Sequence, residues 1–247
     1  MEYVELLRVR RTLRNYAIVL LAGFALAAIG ILSSAHSDHS VIGVIHVSDL
    51  VVGAMFGALL TGTIVACGLQ AEWSTTAITW TRPRPREAIA WGYLAVDFGA
   101  IVAAFVMTLL FALAVVSLFG ALPNLQFDGE HVLRSIVIGF GVTMMWYGLI
   151  WLVAARLPGR APLIAGLSWA VFLILGTLSA ASLPWLFHML IVVLNYLNPL
   201  AYVDNGGSSS NTHPLIALSP WLRGLAAWAI AAVAIVASIR LWSTRET

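Results

Sequence analysis

The 247-residue sequence has no lysine, and its 13 positive charges are all arginine. That excludes the P-loop lysine that reaches the β and γ phosphates of a nucleotide, and it excludes Schiff-base chemistry. Work driven by ATP would have to be powered by another subunit. The single cysteine, Cys67, lies within an apolar run, so there is no intrachain disulfide and no CxxC pair for redox or zinc chemistry. Charged residues make up only 10% of the chain, against about 25% in a soluble domain.

What the chain has instead is apolar surface, with 61% hydrophobic residues. These fall in runs near the roughly 20 residues a helix needs to cross a bilayer, and the alternating ten-residue segments of a barrel are not evident. The expectation is an all-α membrane protein, a single transmembrane domain over residues 1–247. The net charge of +2 does not point to nucleic acid, because the arginines are arranged for topology.

Six spans are expected, over 17–32, 50–69, 98–119, 135–155, 162–183 and 224–239. Residues 2–14 carry Tyr3, Leu6 and Leu7 at helical spacing with Arg8, Arg10, Arg11 and Arg14, and read as an interfacial helix against anionic lipid. Ser33-Ser34-Ala35 resembles a signal-peptidase site, but the run before it exceeds an h-region of about 7 to 15 residues. Residues 33–49 have no arginine and read as an external loop. Residues 184–214 read as a short outer re-entrant or interfacial helix, ten apolar residues after Pro184, followed by a polar loop. Pro220 is expected in the first turn of the last span. On this layout eleven arginines fall on the cytoplasmic side and two, Arg134 and Arg223, outside, which places both termini in the cytoplasm. Abundant alanine and arginine without lysine point to a GC-rich bacterial genome, and hence to a bacterial cell membrane.

The candidate sites are few. The polar interval 69–93 holds Glu72, Arg82, Arg84, Arg86 and Glu87, with Pro83 and Pro85 interrupting any helix, and it reads as a cytoplasmic docking element. Topology alone, with the arginines meeting lipid headgroups, is the plainer reading. Gly53 and Gly57 form a small-xxx-small pair that suits either packing within the subunit or a dimer seam. His36, Asp38 and His39 are metal-ligand types in one external loop, but no second cluster completes a coordination shell. Asp97 is expected at the inner headgroup level, paired with an arginine of the 82–86 run. Gly166-Leu167-Ser168-Trp169-Ala170 is similar to a nucleophile turn, yet Ser168 and His188 would be about 30 Å apart along the fifth span. No acid, base and nucleophile converge in one leaflet, so no enzyme is expected.

At Glu72-Trp73-Ser74-Thr75-Thr76, followed by Thr81-Arg82-Pro83-Arg84-Pro85-Arg86-Glu87 and a third span, the chain resembles the permease subunits of ABC-2 type transporters. The six-span layout, the amphipathic N-terminus and the short apolar piece before Asn198-Pro199-Leu200 extend the resemblance over most of the chain. It implies a permease paired with a second copy or a paralogue. Separate nucleotide-binding ATPase subunits would carry the ATP and magnesium, so that this chain holds no cofactor. Coupling would run through Glu72, Arg82, Pro83, Arg84, Arg86 and Glu87, and the cargo would be a hydrophobic or amphipathic compound moved outward. The alternative is a membrane assembly or sensor protein that transports nothing and uses its histidine-bearing external loop.

Overall fold

The computed structural model describes residues 9–21, 44–71, 86–157, 160–178, 185–202 and 219–244. Residues 9–21 are helical (α1). A two-residue strand Ile45–His46 (β1) leads into α2 (Val47–Ala71), which is followed by α3 (Arg86–Leu118). The strand Leu125–Gln126 (β2) leads into α4 (Gly129–Arg156), and then come α5 (Ala161–Leu178), α6 (Trp185–Leu197) and α7 (Pro220–Ser243). β1 and β2 pair in parallel, Ile45 with Leu125 and His46 with Gln126, immediately before two helices that run the same way.

The relative direction of the helices follows from which residues meet. Gly139 of α4 lies against Met55 of α2, and Trp146 donates to Thr63 Oγ1 at 2.8 Å, so residue numbers rise together and the two helices are parallel. Gly224 of α7 meets Ile138, Trp228 meets Gly141 and Ala234 meets Gly148, so α7 is parallel to α4. Between α2 and α3 the order reverses, with Gly57 beside Thr108 and Gly62 beside Ile101. The C-termini of α2, α4 and α7 and the N-terminus of α3 therefore share one end of the bundle. Arg86, Arg156, Arg160 and Arg240 stand at that end. Asp49, Asp128, Glu130, Arg134 and Arg223 stand at the other.

Small residues let these backbones approach. Ala54, Ala58, Ala104, Ala154 and Ala227 are completely buried, in keeping with membrane helices held by close van der Waals packing. Hydroxyls join them across helices. Thr108 gives its proton to Ala104 O at 2.7 Å, so at the 2.6 Å contact with Tyr16 it is the Tyr16 hydroxyl that donates. Thr63 likewise donates to Leu59 O at 2.9 Å while accepting from Trp146. Thr61 is different: its hydroxyl is buried and has no hydrogen-bond partner among the described residues. Thr61→Val, which keeps the branched shape and removes that oxygen, is expected to stabilise the bundle by about 1 kcal/mol in thermal unfolding in detergent.

The helix ends have local causes. Gly120 adopts φ of 67° after α3, where Gly120 N donates to Ser117 O and Ala121 N to Val116 O, both at 3.0 Å, satisfying the last carbonyls. Ser219 caps α7, and Pro220 occupies its first turn as expected. Asp128 caps α4, accepting from the backbone N–H of Glu130 at 3.0 Å and of His131 at 3.2 Å.

Four helical stretches among the described residues are long and apolar enough to cross a membrane: Val47–Cys67, Glu87–Leu118, Gly129–Arg156 and Pro220–Leu241. The chain is a helical membrane protein. Of the six expected spans, 17–32 lies mostly outside the described residues, as do residues 2–8 of the expected interfacial helix. Residues 9–14 are helical without a break into 15–21, so the arginines of that turn continue directly into the apolar segment. α5 has 18 described residues and α6 has 13.

Two helices start six or more residues before the spans expected of them. α3 begins at Arg86 rather than Phe98, because Ile89, Ala90 and Tyr93 form a buried stripe while Glu87, Ala88, Trp91 and Gly92 stay exposed. Its 33 residues give a length of about 50 Å, well beyond a hydrocarbon core of about 30 Å. α4 begins at Gly129 rather than Ser135, because the Asp128 cap starts a helix whose first turns keep Glu130 and His131 outward.

Candidate functional site

The arginine-rich end is where the sequence places coupling. Glu72, Arg82, Pro83 and Arg84 lie outside the described residues. Arg86 is the first residue of α3, and Glu87 lies in its exposed first turn, where a carboxylate opposes the positive end of the helix dipole. Of the docking segment expected over 69–93, Leu69–Ala71 belong to α2 and Arg86–Tyr93 to α3. Ile89, Ala90 and Tyr93 sit in the chain's own core. Residues 72–85 of that expected segment lie outside the described residues.

Gly57 is filled from within the chain: a Cβ there would run into the Tyr16 hydroxyl and Thr108. Gly53, one turn away, is exposed and opens onto space, with no atom within 4 Å of the Cβ it lacks. His36, Asp38 and His39 lie outside the described residues. Among the described residues no group of three or more His, Cys, Asp or Glu could hold a metal ion. Ser168 lies inside the continuous helix α5, without the strained turn a nucleophile elbow requires.

Asp97 departs from its expected place. It lies eleven residues into α3, about 16 Å from Arg86 along the axis, and is completely buried. Its Oδ2 accepts the Tyr147 hydroxyl of α4 at 2.9 Å. Tyr147 is itself fully buried and packs on Trp151 with ring centroids 5.7 Å apart. An ionisable group inside a spanning helix is costly unless partnered, and such groups mark function by default. The sequence missed this pair because Tyr147 sits in an otherwise unremarked apolar run, fifty residues away.

α2 and α5 border an apolar groove of about 480 Å³ lined by Leu60, Ile64, Cys67, Pro162, Ala165 and Trp169. Its inner wall is braced by Trp146, which meets Trp169 edge-on at 5.6 Å and donates to Thr63.

At the end opposite Arg86, Arg156, Arg160 and Arg240, a cavity of about 190 Å³ opens between the first turns of α2 and α4 and the turn Pro199–Tyr202. Ser48, Asp49, His131, Arg134, Ser135 and Tyr202 supply its polar lining. His131 Nδ1–H donates to Asp128 Oδ2 at 2.7 Å, which fixes the ring and leaves Nε2 as the acceptor of the neutral form. Tyr202 donates to Tyr196 O at 2.8 Å, and burial, with Tyr196 beside it, pushes its phenol up to about 12, so it stays protonated.

The Asp128 cap brings a pH dependence. The backbone N–H of His131, then its ring, hold the Asp128 carboxyl below the usual range, so the stability it gives is present above the ordinary aspartate pKa and is lost as pH falls through the lowered one. Hydrogen exchange over 129–134 is expected to accelerate below about pH 4, and Asp128→Ala is expected to show the faster exchange already at neutral pH. No protein-family model, curated protein or solved structure matches the chain.

Proposed function

We propose that this chain is the membrane-spanning permease subunit of an ABC transporter, exporting a hydrophobic or amphipathic compound with energy from a separate ATPase. One observation carries the reading: α2 ends and α3 begins at the same end of the bundle as Arg156, Arg160 and Arg240, so the arginine–proline link between them joins the most basic face. A basic face of this kind belongs on the cytoplasmic side of a bacterial membrane, with both termini there, and it is where a soluble partner can dock. Glu72 orients the link, and Arg82, Arg84, Arg86 and Glu87 make the charged contacts. The absence of lysine supports the division of labour, with ATP and magnesium held by the partner. The apolar groove between α2 and α5 supports a cargo drawn from the lipid phase. Exposed Gly53 leaves a surface on which a second permease, a copy or a paralogue, can pack.

The test is co-purification with an ATPase encoded beside this chain, and ATP hydrolysis by the pair in liposomes. Arg82, Arg84 and Arg86 changed together to glutamine are expected to lower ATPase association at least tenfold while membrane insertion persists. Full association in that variant sinks the docking role. An ATPase that never co-purifies sinks the transporter.

A further inference from the structure

The cavity between the first turns of α2 and α4 holds two opposite charges that do not neutralise each other. Asp49, in the first turn of α2, and Arg134, in the second turn of α4, both line it, yet no ion pair within 4.0 Å joins them among the described residues. The nearby carboxylate Asp128 is already engaged by His131. An anion alone would meet Arg134 but be repelled by Asp49, and a cation alone would face the reverse. A ligand with both charges, set apart by a few bonds, satisfies the two at once. Size restricts it further. About 190 Å³ is the space of roughly six waters at about 30 Å³ each, and it falls below the roughly 300 Å³ at which sites for drug-sized ligands begin. Below the polar rim the walls are Val52, Met55 and Ile138, which suit a short methylene stem. Gly139 lets the Met55 side chain lie flat against α4 and so shapes that floor.

We propose that this cavity binds a small zwitterion, its ammonium on Asp49 and its phosphate or carboxylate on Arg134, with His131 and the serine hydroxyls of Ser48 and Ser135 as further hydrogen-bonding groups. The ligand is the headgroup of a zwitterionic lipid or a free molecule of the same chemistry, and the site does not depend on the transport reading. The full chain, purified in detergent, is titrated calorimetrically with glycerophosphoethanolamine. In parallel it is reconstituted in nanodiscs containing phosphatidylethanolamine or only phosphatidylglycerol, and retained lipid is counted by native mass spectrometry. Saturable binding of the soluble compound identifies a free ligand. Retention of phosphatidylethanolamine without binding of the soluble compound identifies a lipid headgroup.

Under either outcome Arg134→Gln and Asp49→Asn are each expected to weaken binding about tenfold or more, the loss of one charge-assisted contact. Both positions lie at the solvated end of their helices, and circular dichroism with thermal unfolding verifies that each variant is folded; if one is not, the other carries the test. The proposal is overturned if neither source binds, if both folded variants bind as the wild type does, or if inorganic phosphate alone or ethanolamine alone binds as tightly as the joined molecule.

Discussion

Asp97→Ala is expected to destabilise the bundle by roughly 2–4 kcal/mol, the largest effect of any single polar substitution considered for this chain. The side chain is completely buried and accepts the Tyr147 hydroxyl at 2.9 Å, so removing it deletes a hydrogen bond to a carboxyl group and opens a void between α3 and α4. Asp97→Asn keeps an acceptor oxygen of the same reach and nearly the same volume, and it separates packing from charge. If the carboxyl serves only as an acceptor, Asn recovers most of the loss; if its ionisation is used, Asn folds but loses the proposed transport activity. Tyr147→Phe should cost about 0.5–1.5 kcal/mol, and the double variant with Asp97→Ala should cost less than the sum of the two. Thermal unfolding in detergent measures all four. Strict additivity of the pair would mean that the 2.9 Å contact contributes nothing to stability.

Gly148→Leu is expected to separate α4 from α7 and to lower stability by about 1–3 kcal/mol or more. A Cβ at Gly148 would sit 3.1 Å from both Ala234 Cβ and Ile235 Cγ1, and 3.4 Å from the backbone oxygen of Ala231, before the rest of the leucine is placed. The backbone oxygen cannot give way without shifting α7. The same crossing carries the Ser238 hydroxyl, which donates to Ala234 O at 2.7 Å and lies 3.4 Å from Gly148 O, so a displaced α7 loses a polar contact as well. Gly99→Leu is the control. It is an exposed helical glycine with no atom within 4 Å of its missing Cβ, and its effect should stay within about 0.5 kcal/mol. Equal melting temperatures for the two variants would mean that α4 and α7 do not pack as described.

The membrane character of the chain was legible because composition and run length are local properties. Val47–Cys67 and Pro220–Leu241 announce themselves as apolar segments of the right length whatever they pack against. The start of α3 was not legible. Pro83, Pro85 and three arginines nearby suggested a polar link up to residue 93, but the helix resumes at Arg86 once Ile89, Ala90 and Tyr93 find a core to enter. The first turns of α4 were hidden for a related reason. Glu130, His131 and Arg134 look like loop residues until the Asp128 cap and the neighbouring α2 give them a helical face to occupy.

The sequence by itself determined that this is a helical membrane protein, without lysine chemistry and without paired cysteines. Those properties are sums over residues, and they need no knowledge of which helix lies beside which. Only the tertiary structure decided that Asp97 meets Tyr147, that Tyr16 fills the notch at Gly57, and that Asp49 and Arg134 face one cavity. Each of those joins residues from 41 to 85 positions apart across helices whose order and direction are set by side-chain packing, and packing partners leave no periodic signal in a chain that is apolar on every side.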